Sequence, residues 1–269
     1  MTAIAGVRDT FSRSVARERP ANGNVTRSLL GYLALAGPFY LAVSMVQALT
    51  RRGFSLTRDE WSLLALGHLG WIQTANLILT GAMMLAGAAG VRRAVGRSAT
   101  AGTWAPRLLA GYGLALIGAG IFRADPANGF PPGTHDAGSA QLTWHGTLHL
   151  VFGSIGFACL IAACFVIARS YARRHQHRAA VVSRVVGIVF AIAFAGIATG
   201  ARSSAINLGF TAAVVASYIW LTAVAAGLYR RTRLDETAPA LPASERPGAG
   251  LHPRDGSGSG LSTPSVSAI

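Results

Sequence analysis

WHGTLHLVFGSIGFACLIAACFVIA, residues 144–168, decides the fold. It holds no Asp, Glu, Lys or Arg. As helix it is longer than the roughly 20 apolar residues that cross a hydrocarbon core. Its first turns nevertheless carry His145 and His149, four residues apart and so on one helical face. Five further runs have the same character: Leu29–Leu49, Trp71–Val91, Trp104–Phe122, Val181–Gly200 and Asn207–Leu228. The expected fold is all-α, a six-span transmembrane helical bundle. Arg107 and Arg184 are the charges inside these runs, each near one end, where a long side chain snorkels to the headgroups.

The composition agrees. Of 269 residues 51% are hydrophobic and only 13% charged, which a soluble domain of this length rarely shows. All 24 basic residues are arginines and the net charge is +14. Nucleic acid is not an expected partner, because its binding needs basic residues clustered on one folded face. Here the arginines punctuate apolar runs. Seventeen of them lie on one set of connections and five, Arg51, Arg52, Arg58, Arg123 and Arg202, on the other. The positive-inside rule then puts both termini in the cytoplasm. Cys159 and Cys164 point about 140° apart on one helix, so no disulfide chemistry is expected of them.

Three segments follow. Residues 1–28 form a basic leader in which Ile4, Val7, Phe11 and Val15 fall at helical spacing, a pattern that an amphipathic helix on the inner leaflet shares with a disordered leader. Residues 29–234 form the membrane domain. Residues 235–269, rich in Pro, Gly and Ser, form a disordered cytoplasmic tail. In the first outer loop Thr57-Arg58-Asp59-Glu60 fits a capping box, which predicts a short interfacial helix from about Arg58 to Leu66 with Trp61 and Trp71 at headgroup depth.

Polar residues inside the spans converge on the outer half of the bundle. Tyr40, Ser44 and Gln47 make one stripe on the first span, Gln73, Asn76 and Thr80 another on the second, and His145, His149, Gly153 and Gly156 a third on the fourth. Lipid satisfies none of these groups, so they must face one another or a polar pocket. Structural interhelical hydrogen bonding is the plainer account of any single member. Glycine on the His149 stripe predicts close approach by a neighbouring helix.

Gly37-Pro38, "RRGF", "WSLLALG" leading to Gly70-Trp71 and Asn76, "GIFRADP" and "GTLHLVFGSIGF" together resemble the bacterial membrane family called domain of unknown function 998, over roughly residues 29–228. The resemblance implies a six-span bundle in a bacterial cell membrane with no established activity. It also singles out Arg52, Gly53, Ser62, Gly67, Asn76, Asp125 and His149 as parts of the recurrent pattern. His145 stands outside it.

Two functions remain in view. One is a multi-pass membrane protein with a polar outward-facing pocket that binds a lipid headgroup or small polar ligand. Its candidate residues are Arg52, Ser62, Gln73, Asn76, Arg123, Asp125, His149 and Arg202, with the arginines able to meet a phosphate. The other is an intramembrane metal-dependent hydrolase in which His145, His149 and Asp125 hold zinc, although the Glu of a His-Glu-x-x-His site is missing. No cofactor is expected under the first. The partners are membrane lipids and a small polar ligand.

Overall fold

The computed structural model describes residues 19–96, 100–134, 142–200 and 203–237. Six long α-helices account for most of them: α1 Arg19–Thr50, α2 Gly70–Val95, α3 Thr100–Ile121, α4 Trp144–Arg173, α5 His177–Ala198 and α6 Ser204–Thr237. No strand occurs among the described residues. The chain divides into two units, Met1–Glu236 and Thr237–Ile269, and the packing between helices lies within the first. Expectations for residues 1–18 and for the tail beyond Thr237 fall outside the described residues, as does Arg202.

Five helices, α1, α2, α4, α5 and α6, are long and apolar enough to cross a membrane. The first turns of α3 carry Trp104, Pro106 and Arg107, which shorten its apolar run. Large apolar side chains stand exposed on every helix: Leu35, Leu79, Leu114, Ile155, Ile192 and Ile219. Apolar exposure on every helix is costly in water and suits a lipid surround. This is a membrane protein.

Consecutive helices α1 to α5 pack as neighbours. Small residues set the closest approaches: a Cβ on Gly81 of α2 would come within 2.5 Å of the Gly113 carbonyl oxygen of α3, and one on Gly156 of α4 within 2.8 Å of Ala115 Cβ. The last helix, α6, packs against α1, α3 and α5. Tyr218 stacks on Tyr40 with centroids 4.8 Å apart, Tyr112 donates to the Tyr218 hydroxyl at 3.0 Å, and Trp220 donates to Ser183 Oγ at 2.9 Å. Pro38 lies inside α1 and leaves the Ala34 carbonyl without its amide donor. Thr222 of α6 supplies the missing bond at 3.3 Å.

The polar stripes of α1 and α2 bond to each other, leaving Gln47 Oε1 as their one buried atom without a partner among the described residues. Gln47 Nε2 donates to Gln73 Oε1 at 2.8 Å, and Asn76 Nδ2 reaches Ser44 Oγ at 3.0 Å and the Tyr40 carbonyl at 3.2 Å. All these side chains are buried. The network therefore locks two helices together in a medium that offers no competing water, each bond contributing about 0.6 to 2 kcal/mol.

One end of the bundle is capped by folded loops. Arg51 donates to the carbonyls of Leu64 (3.0 Å) and Leu66 (2.6 Å) and lies over the Phe130 ring at 5.4 Å. Phe130 is fully buried with Leu63 and Leu66 and meets Phe54 edge-on. Asp59, also fully buried, accepts from the Ser55 amide and pairs with Arg58 at 3.0 Å. Asn207 at the start of α6 donates to the Leu56 and Asp59 carbonyls. Within the stretch expected as a short helix, about Arg58 to Leu66, a 3₁₀ helix runs over Trp61–Ala65. The capping box does not form: Thr57 shares its hydroxyl with Ser55, Glu60 makes no side-chain cap, and the carboxylate that bonds a loop amide is Asp59, to Ser55. Trp61 is buried under the cap, whereas Trp71 is exposed.

Candidate functional site

A cavity of about 750 Å³ lies between this cap and the bundle. Its mouth is built by loop residues and by the first turns of α4. Asp125, at the end of the chain from α3, accepts the Thr143 amide at 2.9 Å and the Thr143 hydroxyl at 2.6 Å. Thr143 is the N-cap of α4 and accepts the Gly146 amide at 3.1 Å. A carboxylate at a helix N-terminus meets the positive end of the dipole, so Asp125 anchors the start of α4. The fit requires glycine, since a Cβ on Gly146 would fall 2.0 Å from Asp125 Oδ2.

One turn further in, His149 is buried and its Nδ1 lies 3.0 Å from the Ala119 carbonyl and 2.9 Å from the Phe122 carbonyl. Both partners are acceptors, so Nδ1 carries the proton, and a neutral ring then presents Nε2 as an acceptor. The histidine thereby caps the end of α3, where the last carbonyls of a helix lack intrahelical donors. The two histidines of this apolar segment thus serve different ends. His149 closes a helix end, and His145 is exposed and lies against Trp144, ring centroids 3.5 Å apart and planes tilted by 31°.

Below the mouth the wall turns apolar. Leu116, Phe157, Phe210 and Val214 line it, and Tyr40, Tyr112 and Tyr218 meet near the middle of their helices as its floor. Gly156 serves the close helix approach expected of the stripe, but Gly153 does not: nothing lies within 4 Å of a Cβ built on it, and it lines the cavity. Trp61 also lines the wall, and its buried indole N–H has no hydrogen-bond partner. Glu60 at the mouth has its carboxyl pKa raised above the usual 4.5, chiefly by burial and further by the neighbouring Asp59 charge, against a lowering by its own backbone amide.

Of the residues singled out in the sequence, the cavity brings together Ser62, Asp125 and His149. Gln73 and Asn76 belong to the network between α1 and α2 and are not part of the described wall. Arg52 and Arg123 are exposed and are not part of its described wall. Adjacent Arg51 is the arginine engaged with the cap. Among the described residues no three of His, Cys, Asp and Glu come together to hold a metal ion. In particular His145, His149 and Asp125 are not such a group. Sequence reasoning placed Tyr40 on a polar stripe but missed Tyr112, Tyr218 and Glu60 as cavity residues. A tyrosine in the middle of an apolar run was the available signal, since its hydroxyl must find a partner in lipid.

No curated protein and no solved structure matches the chain. One family model does, over residues 34–227, which is most of the membrane domain. The chain therefore belongs to the family described as "Protein of unknown function (DUF998)".

Proposed function

We propose that this protein is a six-span component of the bacterial cell membrane, with both termini in the cytoplasm, that holds a lipid-like amphiphile in a cavity opening to the outside. The observation that carries the reading is the cavity itself: about 750 Å³, with its two carboxylates, Glu60 and Asp125, at the mouth and a mostly apolar wall running down to the tyrosine floor. Volumes of this order suit small-molecule ligands, and a polar rim over an apolar well suits an amphiphile standing head-up. The arginine bias supports the orientation, since the capped end carries Arg51, Arg52, Arg58 and Arg123 against the far larger set at the other end. Leu114 on the lipid-facing side of α3 supports counting that helix as a span. Ser62, Asp125 and His149 are the candidate head-group residues.

The test is chemical. The full chain is purified from its membrane, its bound lipids are extracted and weighed by mass spectrometry, and the same is done for Gly153→Trp, whose indole would fill the open space beside that residue. One amphiphile retained by the natural protein and lost from Gly153→Trp is expected. Equal retention by both would overturn the reading.

A further inference from the structure

The mouth of the cavity has a charge character that selects among head groups, and this inference rests on the amphiphile reading above. We infer that the head group it accepts is a protonated amine, and that phosphate and carboxylate head groups are disfavoured. Among the described residues the charged side chains at the mouth are carboxylates, and the hydroxyl of Ser62 can accept as well as donate. Glu60 and Asp125 bring two carboxylates, and His149, with Nδ1 committed as donor to Ala119 and Phe122, offers only an acceptor nitrogen while its ring is neutral. The hydroxyls there are partly spent: Thr143 donates to Asp125 and Thr134 donates to the Pro131 carbonyl at 2.7 Å.

The cations nearest in sequence are used elsewhere. Arg51 is bound to the Leu64 and Leu66 carbonyls, Arg58 to Asp59 and the Gly53 carbonyl, and the exposed Arg52 and Arg123 are not part of the described wall. The indole N–H of Trp61 is a donor on that wall, but one neutral N–H does not offset two carboxylates. Among the described residues no arginine lines this mouth, so an anion there would face the two carboxylates at low dielectric, whereas an ammonium would gain charge-assisted hydrogen bonds. Asp125 is held by Thr143, so Glu60 is the carboxylate with freedom to answer a ligand. Burial makes a lone Glu60 carboxylate costly, and a cationic head group relieves that cost.

The experiment uses the full chain in phosphatidylcholine nanodiscs, loaded with equimolar dodecylamine, dodecanol and dodecyl phosphate and read by native mass spectrometry. Dodecylamine should be retained over dodecyl phosphate by about tenfold or more, the scale of one charge-assisted contact. In Glu60→Gln, an isosteric change, the preference for the amine over dodecanol should vanish while dodecanol is retained as before, which also shows that the variant is folded. Retention of dodecyl phosphate equal to or above that of the amine would overturn the inference, and so would an amine preference that survives Glu60→Gln. Equal retention of all three would overturn the head-group selection and leave the cavity reading standing. Retention of none would overturn the cavity reading itself.

Discussion

The hydroxyl of Thr222 on α6 donates to the carbonyl of Ala34 on α1, the acceptor that Pro38 leaves without an amide four residues on. A membrane span tolerates an internal proline only if the freed carbonyl is satisfied from elsewhere, and here the satisfaction comes from the last helix, closing the bundle onto the first. Gly37 makes room for it, with a Cβ there falling 2.7 Å from Thr222 Oγ1. Thr222→Val should lower stability by about 1 kcal/mol. In a Pro38→Ala background, where the Ala34 carbonyl regains its own helical donor, the same substitution should cost much less. A double-mutant cycle by thermal unfolding in detergent checks this, and strict additivity would break the link.

The two histidines that open α4 should respond differently. His149→Ala strands the Ala119 and Phe122 carbonyls at a helix end and should cost about 1 to 3 kcal/mol. His145→Ala removes only an exposed ring lying against Trp144 and should stay within about 0.5 kcal/mol. Unfolding midpoints of the two variants under one condition decide it. A larger loss at His145 would contradict the capping role of His149.

Two glycines three residues apart make a second contrast. Gly156→Ala drives a methyl group to within 2.8 Å of Ala115 Cβ, across a helix pair with no flexible side chain to yield, and should destabilise by about 1 to 3 kcal/mol. Gly153→Ala adds a methyl group to open space and should be neutral or slightly stabilising. Circular-dichroism melts that ranked the two in the opposite order would move the cavity away from Gly153.

The raised pKa of Glu60 sets a pH dependence with a definite sign. A carboxyl whose folded pKa lies above its ordinary 4.5 is stabilising while protonated in both states, and that contribution is lost as pH rises from 4.5 through the folded value. The natural protein should therefore lose stability with rising pH in that range more steeply than Glu60→Gln. Parallel curves for the two would show that burial does not penalise this carboxylate.

The six helices were legible because lipid demands long apolar runs and tolerates few exceptions. Leu29–Leu49 and Trp144–Ala168 lie inside α1 and α4. The helices run further than the apolar runs, α1 starting at Arg19 and α4 ending at Arg173, because hydropathy marks the hydrocarbon boundary and a helix need not stop there. The cap was hidden for a different reason. Thr57 and Glu60 have the spacing of a capping box, but the carboxylate that bonds a loop amide is the buried Asp59, to Ser55, and tertiary burial settles that. The adjacent Arg51 and Arg52 are equivalent on paper, and only the turn after α1 sends Arg51 to the Leu64 and Leu66 carbonyls. In the site, Asp125 and His149 could be found as polar groups at span ends. The meeting of Tyr40, Tyr112 and Tyr218 could not, since it depends on the rotation of three helices about their axes.

The central claim, a cavity that opens to the outside and admits an amphiphile past Ser62, is tested most directly by labelling Ser62→Cys in intact cells with a membrane-impermeant maleimide. The unsubstituted protein serves as background, since Cys159 and Cys164 lie inside α4. The account predicts that the new thiol is labelled without permeabilisation and that dodecylamine slows its labelling. Labelling that appears only after the cells are opened, or a rate unmoved by the amphiphile, would contradict it.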